Sequence, residues 1–373
     1  MAIPSFQPPR RTLMGPGPSD VDPRVLEAMS RPTIGHLDPA FGGMMEELKG
    51  LLRAAFRTEN DVTLPISAPG SAGMEACFVN LVEPGDEVVV CRNGVFGDRM
   101  RENVERVGAT PVLVDDAWGD PVDPAKLEET LRAHPAVRTV AFVQAETSTG
   151  VSSDARTLAE VAHAHDALVI VDAVTSLGGT PLETDAWGLD AVYAGSQKCL
   201  SCPPGLSPLT LGPAAVDRVR RRRTKPQSWF LDLNLLLGYW DGDGGRSYHH
   251  TAPVNALYGL HEALRLLDEE GIENAWARHA RHHDLLREGL EGLGLTFVVR
   301  EDARLPQLNA VAIPAGVDDA EMRHRLLEEH DLEIGAGLGT FAGSVWRIGL
   351  MGHASTESNV RRCVEALEVL LGS

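Results

Sequence analysis

Asp172 and Lys198, 26 residues apart, are the pair of side chains in this chain best suited to amine chemistry. Asp172 closes the apolar run Leu168-Val169-Ile170-Val171, and Lys198 follows Ala191–Ala194 through Gly195-Ser196-Gln197. A carboxylate can keep a pyridine nitrogen protonated, which turns an aromatic ring into an electron sink, and a nearby lysine can condense with a cofactor aldehyde. A structural ion pair at the sheet edge is the competing reading of the same spacing.

Three further stretches carry chemistry. Pro69-Gly70-Ser71-Ala72-Gly73 opens an apolar helix whose free N–H groups could receive a phosphate, although an ordinary glycine-rich turn reads the same. Phe96, in Asn93-Gly94-Val95-Phe96-Gly97, follows a strand end and could stack on a flat ring or simply join the core. Arg347, in Val345-Trp346-Arg347-Ile348-Gly349, needs a partner if buried, either a substrate carboxylate gripped bidentately or a protein carboxylate. Three patterns are discounted. Gly335–Gly339 resembles a dinucleotide loop but no βαβ unit follows it, Cys199-x-x-Cys202 has no second CxxC, and His279, His282 and His283 read as solvated on a charged helix.

These residues need a frame. Short β-branched runs alternate with helical patterns, which predicts an α/β fold with helices covering a parallel sheet. The clearest strands are Glu87–Cys91, Thr110–Val114, Thr139–Val143, Leu168–Val171, Ala191–Ala194 and Ser207–Leu211, read as buried on both faces. Asp22-Pro23, Asp123-Pro124 and Asp154 read as helix starts. Long helical patterns at Val254–Glu269 and Asn274–Leu293, then short strands at Ala310–Ile313 and Val345–Gly349, predict a smaller α+β unit. The expected division is an N-terminal arm over 1–12, a large domain over 13–270 and a small domain over 271–373.

Composition narrows the partners. Lys and Arg number 34 against 53 Asp and Glu, a net charge of −19 that would repel phosphate backbones and anionic lipid. The one basic run, Arg220–Arg223 with Lys225, reads as a solvated helix end. No apolar stretch approaches the roughly 20 residues of a membrane span, and neither terminus reads as a targeting signal. Five scattered cysteines suggest reduced thiols, so a cytoplasmic protein is expected.

Taken in order, several motifs resemble those of the class V aminotransferases, most closely the alanine–glyoxylate/serine–pyruvate group. They are Gly15-Pro16-Gly17-Pro18, Glu146-Thr147-Ser148-Thr149-Gly150, Val171-Asp172-Ala173-Val174, Gly195-Ser196-Gln197-Lys198, Pro203-Pro204-Gly205, Tyr248-His249-His250-Thr251 and Arg347-Ile348-Gly349. The resemblance covers nearly the whole chain. It implies a pyridoxal 5'-phosphate enzyme of fold type I, with a mostly parallel seven-stranded sheet in the large domain, working by ping-pong amino transfer between small amino acids and 2-oxo acids.

Carried over by position, Lys198 is the cofactor-bonding lysine and Asp172 the partner of the pyridine nitrogen. Val174 and Phe96 take the two ring faces, Thr147 lies by the phenolic oxygen, and Ser71, Ala72 and Gln197 hold the phosphate. Tyr248 and Thr251 would reach the phosphate of a neighbouring subunit, which implies a homodimer. Arg347 would clamp the substrate carboxylate, with Gly17 lining the same pocket. Phe96 stands where the animal enzymes have Trp, His36 where they have a small residue, and the Ala68–Ser71 loop lacks their histidine. Alternatives are a class V transaminase with another donor (aspartate, aminoethylphosphonate or phosphoserine), a cysteine desulfurase, a nicotinamide oxidoreductase, or a silent scaffold. The cysteines are badly placed for a desulfurase.

Overall fold

The computed structural model describes residues 3–240 and 246–372. The first two residues of the expected arm, 241–245 of the expected large domain and the last residue of the expected small domain lie outside the described residues.

Seven strands form the main sheet: β1 (Val62–Ile66), β2 (Glu87–Arg92), β3 (Thr110–Asp115), β4 (Thr139–Val143), β5 (Leu168–Asp172), β6 (Ala191–Tyr193) and β7 (Ser207–Leu211). Their order is β1-β7-β6-β5-β4-β2-β3, and only β7 runs against its neighbours. The predicted seven-stranded, mostly parallel sheet is therefore present. Two details differ from expectation. β1 is not among the expected strands; it forms one edge of the sheet, paired antiparallel with β7. β3 is the other edge and is largely exposed rather than buried on both faces.

The capping signals hold. Asp22, Asp123 and Asp154 each accept a backbone N–H at the start of the helix they were assigned. Helices α1 (Gly70–Leu81) and α2 (Val95–Arg106) follow the carboxyl ends of β1 and β2. The basic run is not wholly solvated: Arg222 is half-buried and donates to Asn80 O (3.1 Å) and Val82 O (2.8 Å), satisfying carbonyls at the end of α1.

Two long helices come next, α3 (Val254–Glu270) and α4 (Ile272–Gly292), within a few residues of the predicted pair. A second, antiparallel sheet contains β8 (Leu308–Ala312), β9 (Gly335–Ala336) and β10 (Val345–Gly349). One large apolar core draws on residues from Val25 to Ala275, and a smaller one on Met14 and residues from Leu286 to Leu370. The short strand Thr12–Leu13 pairs in parallel with Leu332–Glu333, so this segment and Met14 join the C-terminal unit. No helix among the described residues is long and apolar enough to cross a membrane.

The histidines of α4 overturn an expectation. His279 is 0 % exposed and His282 is buried, while His283 is half-buried against Asn309. They face inward, and Arg281 between them takes the solvent side of the same helix. His279 Nδ1 donates to Ala275 O (2.6 Å), which leaves Nε2 to accept from Gly352 N (2.9 Å). Burial, with the Arg278 charge nearby, pushes the imidazole down from 6.5 to about 4. The unfolded chain therefore takes up this proton first as pH falls. The contribution to stability is complete above pH about 6.5 and is lost towards pH about 4, by on the order of 3 kcal/mol. Urea titrations at pH 7 and pH 4.5 should show a smaller pH effect for His279→Gln than for the wild type; equal effects would refute this account.

Candidate active site

Most of the chemistry-bearing stretches, Arg347 excepted, follow the carboxyl ends of strands of the main sheet. Ser71 lies after β1, Phe96 after β2, Glu146 and Thr147 after β4, Asp172 at the end of β5 and Lys198 after β6. Strand polarity alone thus gathers residues far apart in sequence at one edge of the sheet, where open α/β sheets bind ligands.

Asp172 is 3 % exposed and opposite Tyr193 in the register of β5 with β6. Its Oδ1 accepts from Val174 N (2.8 Å) and its Oδ2 from Tyr193 OH (2.8 Å). Burial nevertheless pushes the carboxyl up to about 7. A cation brought against it would reverse that shift, because an adjacent opposite charge favours the ionised form. Lys198 does not provide one: it makes no ion pair with Asp172, and that reading of the spacing falls. Instead Lys198 Nζ donates to Pro16 O in a short contact, and burial pulls the amine down to about 8.

Gly17 explains how the two segments meet. A Cβ there would stand 2.6 Å from Lys198 Nζ and 2.8 Å from its Cδ, and the backbone φ is +103°. Any side chain at this position would displace the lysine.

Arg347 lies in β10 and is 7 % exposed. Its Nε donates to Ala336 O (2.7 Å) and its Nη1 to Thr147 O (3.1 Å). Among the described residues it makes no ion pair, although burial pulls its pKa only to about 10 and it stays charged. The glycine-rich Gly335–Gly339 run thus contributes to β9 and to a carbonyl that orients Arg347, not to a dinucleotide loop.

The remaining assigned residues have unequal settings. Val174 is half-buried, and Thr147 is buried with its hydroxyl 2.9 Å from that of Thr175. Gln197 Oε1 is buried without a partner. Ala72 N is engaged by Pro69 O (2.7 Å), and Ser71 is exposed at the start of α1, where its hydroxyl accepts from Arg99 (3.2 Å). Tyr248 (67 % exposed) and Thr251 lie on the surface. His36 Nδ1 is 3.1 Å from Tyr239 OH, and its ring meets that of Tyr248 edge-on at 5.7 Å.

Sequence reasoning quoted Glu146 only as part of a motif and passed over its role. The carboxyl group is buried, with no ion pair among the described residues, at the N-terminus of α2, where it accepts from Phe96 N (3.2 Å), Ser148 N (3.0 Å) and Ser148 Oγ (2.6 Å). The approach requires Gly94, whose Cβ would stand 2.5 Å from Glu146 Cδ. The same turn offers Thr147 O to Arg347, so it links Phe96 with the arginine. Tyr193 was also missed. Its one signal was a hydroxyl within a buried strand, which must find a partner.

The chain belongs to the class V aminotransferases: the family model "Aminotransferase class-V" matches residues 13–362. The protein is accordingly a transaminase, and its architecture is fold type I of the pyridoxal-phosphate-dependent transferases. It is 40% identical to the alanine–glyoxylate aminotransferase of Felis catus over 97% of this chain and 88% of that one. It is 37% identical to the (S)-ureidoglycine–glyoxylate transaminase of Bacillus subtilis, covering 97% and 91%. The crystal structure of an alanine–glyoxylate aminotransferase from Nostoc sp. superposes with a TM-score of 0.97 at 45% identity, covering 100% and 98% of the two chains.

The residues present fit the cofactor that the family implies. A buried carboxyl makes no ion pair among the described residues, and a buried amine sits beside a glycine cradle at the same strand ends. All five cysteines are free and buried, and Cys199 and Cys202 have thiols pushed up to about 12 by burial.

Proposed function

We propose that this protein moves the amino group of a small L-amino acid, alanine or serine, to glyoxylate or pyruvate in a ping-pong cycle, with pyridoxal 5'-phosphate held by Lys198. The observation that carries this reading is Arg347, a buried cation that makes no ion pair among the described residues, with Glu146 acting on it only without contact, and whose charge also acts on Lys198. A substrate carboxylate is the missing partner.

The other roles are those that the resemblance to the family implies. Ser71, Ala72 and Gln197 hold the phosphate, Val174 and Phe96 flank the ring, and Thr147 lies at its phenolic edge. When bound, the cofactor supplies an electron sink that lets a proton leave the substrate Cα. Asp172 maintains that sink by pairing with the ring nitrogen. Lys198 Nζ, with its pKa drawn down to about 8, is neutral in a useful fraction near pH 7 and moves the Cα proton. Exposed Tyr248 and Thr251 support a homodimer in which each copy completes the other's phosphate site, with Gly17 lining the substrate side. Free, buried cysteines support a reducing, cytoplasmic setting.

A second reading, the same reaction with a different amino donor, is favoured by His36 beside Tyr239 and by the ureidoglycine relative. Absorption spectroscopy tests both. The purified protein should be yellow, with a band near roughly 420 nm from the lysine-bound cofactor. L-alanine or L-serine should move that band to shorter wavelength. A response to neither amino acid, but to another donor, would favour the second reading; a protein that never acquires the band on incubation with pyridoxal phosphate would sink both.

A further inference from the structure

Arg99 touches residues at both ends of the proposed cofactor site, Ser71 and Phe96. It lies three residues beyond Phe96 in α2, a spacing that puts both on one helix face. Its guanidinium carbon is 5.0 Å from the centroid of the Phe96 ring. Its Nη1 donates to Ser71 Oγ at 3.2 Å, next to the start of α1.

The electrostatics there are unbalanced. The neighbouring carboxylates of α2 are already engaged, Asp98 by Arg92 and Arg101 and Glu102 by Arg106. Among the described residues Arg99 has no ion-pair partner and is half-buried. It also sits by a helix N-terminus, where the partial charge of unbonded N–H groups is positive. Two like-signed features brought together without an anion are unfavourable. A phosphate monoester dianion is the group that would satisfy both, and a guanidinium is well suited to it.

We infer that Arg99 is a positioning residue for the cofactor: it neutralises the phosphate through the Ser71 end and, by its contact with Phe96, holds the stacking ring at a fixed distance from that anchor. This rests on the cofactor reading above. Arg99 itself touches no reacting atom.

The test is an absorption titration of the full-length protein, freed of cofactor, with pyridoxal 5'-phosphate and separately with pyridoxal, which lacks the phosphate. Arg99→Gln should raise the dissociation constant for pyridoxal phosphate by about tenfold or more and that for pyridoxal by less than about twofold. Arg99→Lys, which keeps the charge, should recover most of the preference for the phosphorylated ligand, and added inorganic phosphate should compete less well in Arg99→Gln than in the wild type. Equal losses for both ligands would mean that Arg99 merely supports the fold and would overturn the inference, as would an unchanged preference. If the wild type itself binds neither ligand, or both alike, the underlying cofactor reading fails instead, and the two failures are told apart by that control.

Discussion

Lys198→Ala is expected to lower amino transfer by about four orders of magnitude or more, because one substitution removes both the covalent anchor and the base. The neighbourhood offers no substitute. Asp172 is tied to Val174 N and Tyr193 OH, and Arg347 stays protonated in the working pH range. Tyr193 is itself buried with its hydroxyl pKa raised, so it cannot serve as a base near neutrality. The fold should survive, since Lys198 Nζ is held by a single carbonyl and Ala leaves in place the bonds that Lys198 O accepts from Ser19 Oγ and Ser201 N. Single-turnover absorbance with L-alanine would measure the loss. Residual transfer above about one-hundredth of the wild-type rate would assign the base elsewhere, since a positioned base typically contributes 10²–10⁴-fold.

Arg347→Leu carries the second largest effect. Each charge-assisted hydrogen bond to a carboxylate is worth about 1.5–3 kcal/mol, so losing the fork should reduce kcat/KM for L-alanine by about two to three orders of magnitude. The loss should fall mainly on KM. Arg347→Lys should restore little, because an ammonium cannot present two parallel donors. The discriminating control is an amine without a carboxylate, whose slow reaction should be almost unchanged in Arg347→Leu. If that amine suffers as much as alanine does, the arginine is acting through Thr147 and the Glu146 turn rather than on the substrate. Leucine also removes the donor to Ala336 O, so the variant's melting temperature must be recorded alongside.

Both expectations concern residues that were legible in the sequence, and the reason is local. Asp172 ends a short apolar strand and Lys198 follows another through a short turn, and period and turn chemistry are enough to place both near strand ends. The strands Thr139–Val143, Ser207–Leu211 and Val345–Gly349 emerged with the limits read from the sequence, because each is a compact apolar run between clear breaks. β1 did not; its one neighbour, β7, lies far along the chain, so its place at an edge belongs to the whole sheet. The α4 histidines failed for a related cause. Interleaved charges conceal which face of a helix is covered until the covering element, here the turn at Gly352–Ser355, is known.

Thus residue type and local pattern determined the α/β architecture, the transaminase residues and the acidic surface. The tertiary structure decided what surrounds them. That Asp172 meets Tyr193 rather than Lys198 follows from the register of β5 with β6, and that Arg347 makes no ion pair among the described residues follows from the meeting of β10 with the turn after β4. The link from Ser71 through Arg99 to Phe96 arises in the same way. Such contacts join residues whose separation in sequence carries no signal, and they are set by the packing of whole elements, through which burial then shifts the pKa of each group.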